Sequence, residues 1–420
     1  MLPNEYVFHG KRDINYLFHR GAKSSPFLLV SFQAVPAVKD GKPVKLYNYK
    51  KFLKEANLHR LFIEDTCGDF GCYYLCNNMN FDVEETVIQL IESVMKKLKI
   101  KKENVITFGS SKGGTSALYY GLKYNFGHII AGAPQTKIAT YLNKYRPEML
   151  EYMIGDFSQE KVDYVDCLVL NQVKSPCSSE ITMLTSKSDA QYEPHIIPLL
   201  EAFERENIDA TVVYEPRVQK HKDIATYFPD FLEQHIQRII HKKYKLTHPS
   251  FERTSNSLSL VEPKHSVKIN TKIKILSPKG EIVEQASLAS GDYFEFKTDD
   301  LLSFSAVHTV CIGEEPIYST TLCDSMFDQG YFDYKGYSMI FNNETKELEF
   351  KLDIDPKHPI SYAFSLVKGR DTVIPIYASD EPETKFPITE SGTYIVRFAI
   401  KVKGKGVLRK NSNRFPIAVE

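Results

Sequence analysis

Three residue types that together perform acyl chemistry occur in one order along this chain: a serine between glycines, then an aspartate, then a histidine. The serine is Ser111, in the pentapeptide Gly109-Ser110-Ser111-Lys112-Gly113. A G-x-S-x-G string arises by chance in about one chain in seven of this length, taking each named residue at roughly 7%. Its surroundings make it specific. The apolar run Asn104-Val105-Ile106-Thr107-Phe108 precedes it, and Gly114-Thr115-Ser116-Ala117-Leu118-Tyr119-Tyr120 follows as a helix start. A serine on such a strand-to-helix elbow occupies a strained turn with its hydroxyl exposed, and side chains at Gly109 or Gly113 would collide with neighbouring backbone. The bland alternative is a glycine-rich turn that only packs a helix on a strand. A phosphate loop is disfavoured because the G-x-x-x-x-G-K-[ST] order is missing.

A serine hydroxyl becomes nucleophilic when a base removes its proton and an acid orients that base. Asp189 ends Thr185-Ser186-Lys187-Ser188-Asp189, after the apolar run Ile181 to Leu184. His221 closes the loop Glu215 to His221, after Thr211 to Tyr214. Both therefore fall beyond the C-terminal ends of strands, where reactive groups collect in open α/β sheets. His195 is a competing histidine, but it follows Asp189 closely and leads into the apolar pattern Ile196 to Leu200. An oxyanion would need backbone N–H donors. The elbow arrangement nominates Lys112, directly after the serine, and Gln33 or Ala34, after the strand Phe27 to Phe32. The Lys112 side chain has two readings: a substrate contact attracting an acidic sugar or a phosphate, or a surface lysine paired with a carboxylate. A Ser-Lys pair is disfavoured because adjacent elbow residues point apart.

These groups need a scaffold, and residues 1–248 supply the pattern of one. Apolar runs at Phe27 to Phe32, Leu61 to Glu64, Val105 to Phe108, Ile129 to Gly132, Ile181 to Leu184 and Thr211 to Tyr214 alternate with helical segments, as in a mostly parallel sheet covered by helices. Val83, Val87, Leu90, Ile91, Val94 and Leu98 form one helical stripe, with Asp82 and Glu85 as an expected capping box and Lys96, Lys97 and Lys99 at the C-terminal end. Residues 137–179 interrupt the sheet pattern with helices at Lys137 to Lys144 and Pro147 to Ile154, which suits a helical lid insertion. Near Pro249 the period changes to that of short strands, including Ser266 to Leu276, Glu347 to Leu352 and Tyr394 to Val402, separated by turns such as Pro278-Lys279-Gly280. That tail reads as an all-β, sandwich-like region of two modules, 249–345 and 346–420, the second immunoglobulin-like. Its aromatic residues Tyr331, Phe332, Tyr334 and Tyr337 suit core positions better than a sugar-stacking face.

Composition narrows the function. The 53 basic and 53 acidic residues cancel, leaving no general attraction to nucleic acid. No apolar run reaches the length of a membrane span, and the first twenty residues lack a secretory pattern. Seven cysteines scattered over 420 residues suit reduced thiols and a cytoplasmic location. Cys67, Cys72 and Cys76 lack the paired spacing of a metal site, so no metal is expected.

The run Phe108 to Tyr124, with Asp189-Ala190-Gln191-Tyr192, His221-Lys222-Asp223 and Tyr227-Phe228-Pro229, resembles bacterial capsular polysaccharide biosynthesis proteins. It is similar also to the related glycan O-acetyltransferases of accessory secretion systems. The resemblance spans about residues 13 to 240. It implies an α/β-hydrolase fold and a serine enzyme, with Ser111, Asp189 and His221 as its triad, that O-acetylates a surface or capsular polysaccharide through an acyl-serine. Acetyl-CoA is the implied acyl donor and no bound cofactor is implied; association with capsule biosynthesis machinery is an implied partnership. Two other readings stand beside this one: a carbohydrate acetyl esterase with the same triad, and a non-catalytic glycan-binding or assembly component.

Overall fold

Strands buried on both faces should read as continuous apolar runs, and those runs become the centre of the sheet. The computed structural model describes residues 4–36, 38–39, 42–43, 47–50, 57–244, 250–253, 257–262, 269–277, 281–298, 304–323, 332–368, 371–402, 406–412 and 415–419. Met1–Tyr244 with Glu315–Tyr318 form one compact unit, and Lys245–Glu314 with Ser319–Glu420 a second.

The first unit holds an eight-stranded sheet. Its strands are β1 (Glu5–His9), β2 (Asp13–His19), β3 (Leu28–Phe32), β4 (His59–Ile63), β5 (Val105–Ser110), β6 (His128–Gly132), β7 (Glu180–Thr185) and β8 (Ala210–Tyr214). They lie in the order β1-β2-β4-β3-β5-β6-β7-β8. β3 to β8 run parallel, whereas β1 and β2 are antiparallel additions at one edge. β1 and β2 carry no clear strand signal in the sequence. Their faces are half exposed, and charged or polar residues interrupt the alternation that would mark them.

Helices α1 (Asp82–Leu98), α2 (Lys112–Tyr124), α3 (Ile138–Tyr145), α4 (Pro147–Ile154), α5 (Gln159–Cys167) and α6 (Ile197–Arg205) connect the parallel strands, and α7 (Ile224–Tyr244) follows β8. The stripe on α1 is buried from Val83 through Val94. The expected capping box is absent. Phe81 holds the cap position without a side-chain bond, Asn80 Oδ1 accepts from the Asp82 N–H at 3.2 Å, and Glu85 pairs with Lys11 Nζ at 2.6 Å. Helix α1 thus starts one residue earlier than a capping Asp82 would allow, which puts Asp82 inside the first turn and leaves Glu85 to a surface ion pair. α3, α4 and α5 occupy the segment between β6 and β7, and their apolar residues Ile138, Leu142, Leu150, Met153 and Val165 join the core beneath.

In the second unit, strands including Ser257–Val261, Ile269–Leu276, Tyr293–Lys297 and Ser305–Ile312 surround a core of Leu258, Leu260, Ile273, Phe294 and Phe296. Strands from Phe332–Asn342 to Phe415–Ile417 surround another core, centred on Phe350, Phe364 and Phe398. The expected division near residue 345 falls in the hairpin between Phe332–Asn342 and Glu347–Pro356, whose residues share this core. Phe332 is buried and Tyr337 stacks on Phe350, which places both in that core; Tyr331 and the turn 278–280 lie outside the described residues.

What places α2 against the sheet is the near absence of side chains at its start. A Cβ on Gly113 would lie 2.2 Å from the Phe32 carbonyl oxygen, and one on Gly109 would lie 2.5 Å from the Gly113 carbonyl. Backbone cannot yield as a side-chain tip can. Gly113→Ala should therefore cost about 1–3 kcal/mol through overpacking, read as a lower urea midpoint; a wild-type midpoint would contradict this packing.

Candidate active site

The elbow concentrates strain at one residue. Ser111 joins β5 to α2 with φ 54° and ψ −124°, a region unfavourable to a side chain. Two bonds hold it there. Its N–H donates to the Gly132 carbonyl at 2.7 Å, and its own carbonyl accepts from the Thr115 N–H at 2.9 Å. The hydroxyl is thereby turned off the sheet toward the loops that follow β7 and β8.

Those loops bring the other two groups to it. His221 Nε2 lies 2.8 Å from Ser111 Oγ, and His221 Nδ1 lies 2.8 Å from Asp189 Oδ2. The carboxylate can only accept, so Nδ1 carries the proton and Nε2 is left bare to accept from the serine. Asp189 is nearly sealed from solvent, and its other oxygen accepts the Gln191 N–H at 2.9 Å. His221 remains partly exposed. A neutral imidazole held this way can take the serine proton while the buried carboxylate stabilises the resulting imidazolium.

The oxyanion expectation meets a different arrangement. The Gln33 N–H donates to Tyr74 Oη at 2.8 Å, and the Ala34 N–H to Asn48 Oδ1 at 2.9 Å. Neither is a free donor here. Burial holds the Tyr74 phenol far above its usual range, so it stays protonated and passes its own hydrogen to the Ile63 carbonyl at 2.9 Å. Lys112 opens α2, so its N–H has no partner within the helix.

The Lys112 side chain does not line the site. It is fully buried, with Nζ 2.7 Å from Asp65 Oδ2 and 5.0 Å from the centre of the Tyr74 ring. The expected substrate contact is corrected to an internal ion pair, because α2 turns this side chain inward under the elbow. Asp65 also accepts from the N–H groups of Cys72 at 2.8 Å and Tyr74 at 3.2 Å. Cys67 lies beside them, with its possible ligand atom and those of Asp65 and Cys72 all within 4.8 Å of one another. Burial holds the Cys72 thiol in its protonated form and pushes Cys76 up to about 12. Lys112→Ala would leave a buried carboxylate without its cation. A loss of about 3–5 kcal/mol is expected by chemical denaturation; an undiminished midpoint would show that the pair is not needed.

His195 is the histidine left outside the array. It is buried, its Nδ1 accepts the Lys137 N–H at 3.3 Å, and its ring meets Tyr141 edge-on. Burial first, then the neighbouring His221 and Lys137, lower its pKa to about 4. It therefore stays neutral in the folded protein where an unfolded histidine would charge. This stabilisation is complete above about pH 6.5 and is lost as pH falls toward 4, about 2 kcal/mol of it between pH 7 and 5. His195→Gln should flatten that part of a stability–pH curve, and an unchanged slope would count against it.

One residue that sequence reasoning missed touches the serine. Gln135 Nε2 donates to Ser111 Oγ at 3.0 Å and to Gln191 Oε1 at 3.0 Å. Its Oε1 accepts from the Tyr73 hydroxyl at 2.8 Å. Nothing in the sequence around Gln135 marks it.

A mostly parallel sheet ordered β1-β2-β4-β3-β5-β6-β7-β8, with its serine elbow after β5, defines an α/β-hydrolase-like fold, followed by antiparallel β sheets. Within it, residues 44–248 match the family described as accessory Sec system GspB-transporter. An accessory Sec system protein of Staphylococcus aureus is 26% identical over 266 residues, covering 57% of this chain and 47% of its own length. The chain thus spans about half of that curated relative. Among solved structures, the capsule O-acetyltransferase of Neisseria meningitidis serogroup A is 26% identical, with 56% of this chain and 95% of that chain covered and a TM-score of 0.49. The Glycosylation Associate Protein (Gap123) complex from Streptococcus agalactiae is 16% identical, covering 57% and 47%, with a TM-score of 0.48. The relation suspected from the elbow, acid and histidine segments is supported by the family match and the curated relative. Among the described residues no helix is long and apolar enough to cross a membrane.

Proposed function

We propose that this chain is a serine-dependent O-acyltransferase that acetylates a bacterial surface or capsular polysaccharide, with Ser111, His221 and Asp189 as its triad. The observation that carries the reading is the continuous hydrogen-bonded chain from Asp189 through His221 to Ser111 Oγ at the C-terminal ends of parallel strands. The resemblance of the elbow, acid and histidine segments to the glycan O-acetyltransferases of accessory secretion systems supports the glycan-modifying setting, and residues 44–248 match an accessory Sec family. In this reading Ser111 Oγ attacks the acyl carbonyl of a donor such as acetyl-CoA, and His221 Nε2 takes its proton. His221 then protonates the departing thiolate, which leaves an acetyl ester on Ser111. A sugar hydroxyl next gives its proton to His221 and attacks that ester, and Ser111 leaves with the proton returned. The Lys112 N–H, at the positive start of α2, faces the charge that develops on the carbonyl oxygen in both halves. We place the reaction in the cytoplasm, with the polysaccharide and its biosynthetic machinery as partners.

Incubation with acetyl-CoA and capsular polysaccharide should transfer acetyl groups detectable by NMR, and Ser111→Ala should lower the rate about 10⁴-fold or more. Turnover of an aryl acetate that ignores added glycan would instead identify water as the acceptor and make the protein an esterase. Surface glycan unchanged by Ser111→Ala but lost on removing the β-rich tail would favour the non-catalytic assembly reading.

A further inference from the structure

Gln135 follows β6 in a segment built to hold it still. Ala133 adopts φ 38°, and its N–H donates to the Leu184 carbonyl at 2.8 Å. The Gln135 N–H donates to Thr115 Oγ1 at 2.7 Å, and its carbonyl accepts from the same hydroxyl at 3.1 Å. Thr115 sits on α2 one turn beyond Ser111, so the glutamine backbone is clamped to the helix that carries the serine. Its side chain is fixed as tightly. Tyr73, itself at φ 57°, is buried and its phenol stays protonated, so it donates to Oε1. Both hydrogens of Nε2 are then directed at Gln191 Oε1 and Ser111 Oγ.

The chemistry of the array fixes this amide orientation independently. Ser111 Oγ gives its only hydrogen to His221 Nε2, so whatever else lies 3.0 Å from Oγ must donate to it. Gln191 completes the network, because its own N–H binds Asp189 Oδ1 at 2.9 Å. Gln135 thus touches the reacting oxygen and shares Gln191 with the acid of the array.

We propose that Gln135 is a further catalytic residue, whose amide N–H acts on Ser111 Oγ as the leaving oxygen when the acyl group passes from the serine to its acceptor. This rests on the acyl-serine reading above. During acylation Oγ is the attacking atom, and an N–H bond to it withdraws density from the nucleophile while orienting it. The two effects oppose. During deacylation Oγ is the ester oxygen: the acceptor oxygen bonds to the acyl carbon, the C–Oγ bond breaks, and Oγ leaves with its electron pair and recovers a proton from His221. An N–H bond there makes the carbonyl more electrophilic and stabilises the departing oxygen. The two effects now add.

The test separates the two halves with 4-nitrophenyl acetate as acyl donor and water as acceptor. The burst of nitrophenolate reports acylation and the later steady rate reports deacylation. Gln135→Met removes the donor at similar length; Gln135→Glu keeps an acceptor for Tyr73 and serves where the methionine variant folds poorly. The expected result is a steady rate lowered about tenfold or more with a burst rate changed less than about threefold, and acetyl-Ser111 accumulating by intact mass. Equal losses in both phases, or no change in either, would overturn the role. A wild-type protein that acquires no acetyl group at Ser111 would instead defeat the acyl-serine reading, and this role with it.

Discussion

The site depends on backbone approaching backbone where α2 meets the sheet. Gly113 packs on the Phe32 carbonyl of β3, and Gly114 lies close to the Gly132 carbonyl of β6. That contact fixes three strand ends relative to the helix start. Ser111 is held at an unfavourable φ because its flanks cannot relax: its N–H is spent on Gly132 and the following residues are locked against β3. A serine at the same height on a looser turn would swing through several rotamers, and Oγ would meet His221 only part of the time.

Lys112 carries that constraint downward. A charged side chain directed inward costs several kcal/mol of desolvation unless it is met by an opposite charge and further hydrogen bonds. Asp65 meets it after β4, and the carboxylate accepts as well from Cys72 and Tyr74 backbone. The same loop supplies Tyr74 to Gln33 and Tyr73 to Gln135. One buried ion pair therefore ties the start of α2 to a loop whose two tyrosines bond the Gln33 backbone and the Gln135 side chain, the second of which touches the serine. With every member of the group bonded, the pair holds the start of α2 in one arrangement.

How much of this the sequence disclosed follows from what each residue signals by its type. Ser111, Asp189 and His221 announce themselves because each follows an apolar run, and strand ends in a parallel sheet converge. The central strands were legible for the same reason, since burial on both faces leaves no alternation to confuse. β1 and β2 were not, because half-exposed edge strands tolerate polar residues on either face. The burial of Lys112 is not legible, because a lysine's usual preference for water is overridden by a carboxylate 47 positions away, which only the fold brings near. Tyr74 and Asn48 took the Gln33 and Ala34 donors through contacts of the same long-range kind. Gln135 has no pattern at all. A glutamine in a loop signals nothing until its neighbours are known.

The helices α3 to α5 enter the chain after the β6 loop and leave it before β7, so the elbow, the acid and the histidine all lie outside them. Their apolar residues Ile138, Leu142, Leu150, Met153 and Val165 nonetheless join the core beneath, so a replacement segment would have to fill the same space to leave Ser111, Asp189 and His221 where they are. Tyr141, on α3, meets the ring of His195 edge-on, and the His195 N–H donates to the Gln191 carbonyl at 3.2 Å, so a change in the segment would be felt at Gln191. Variation in this segment is therefore bounded by those core positions and by that one ring contact.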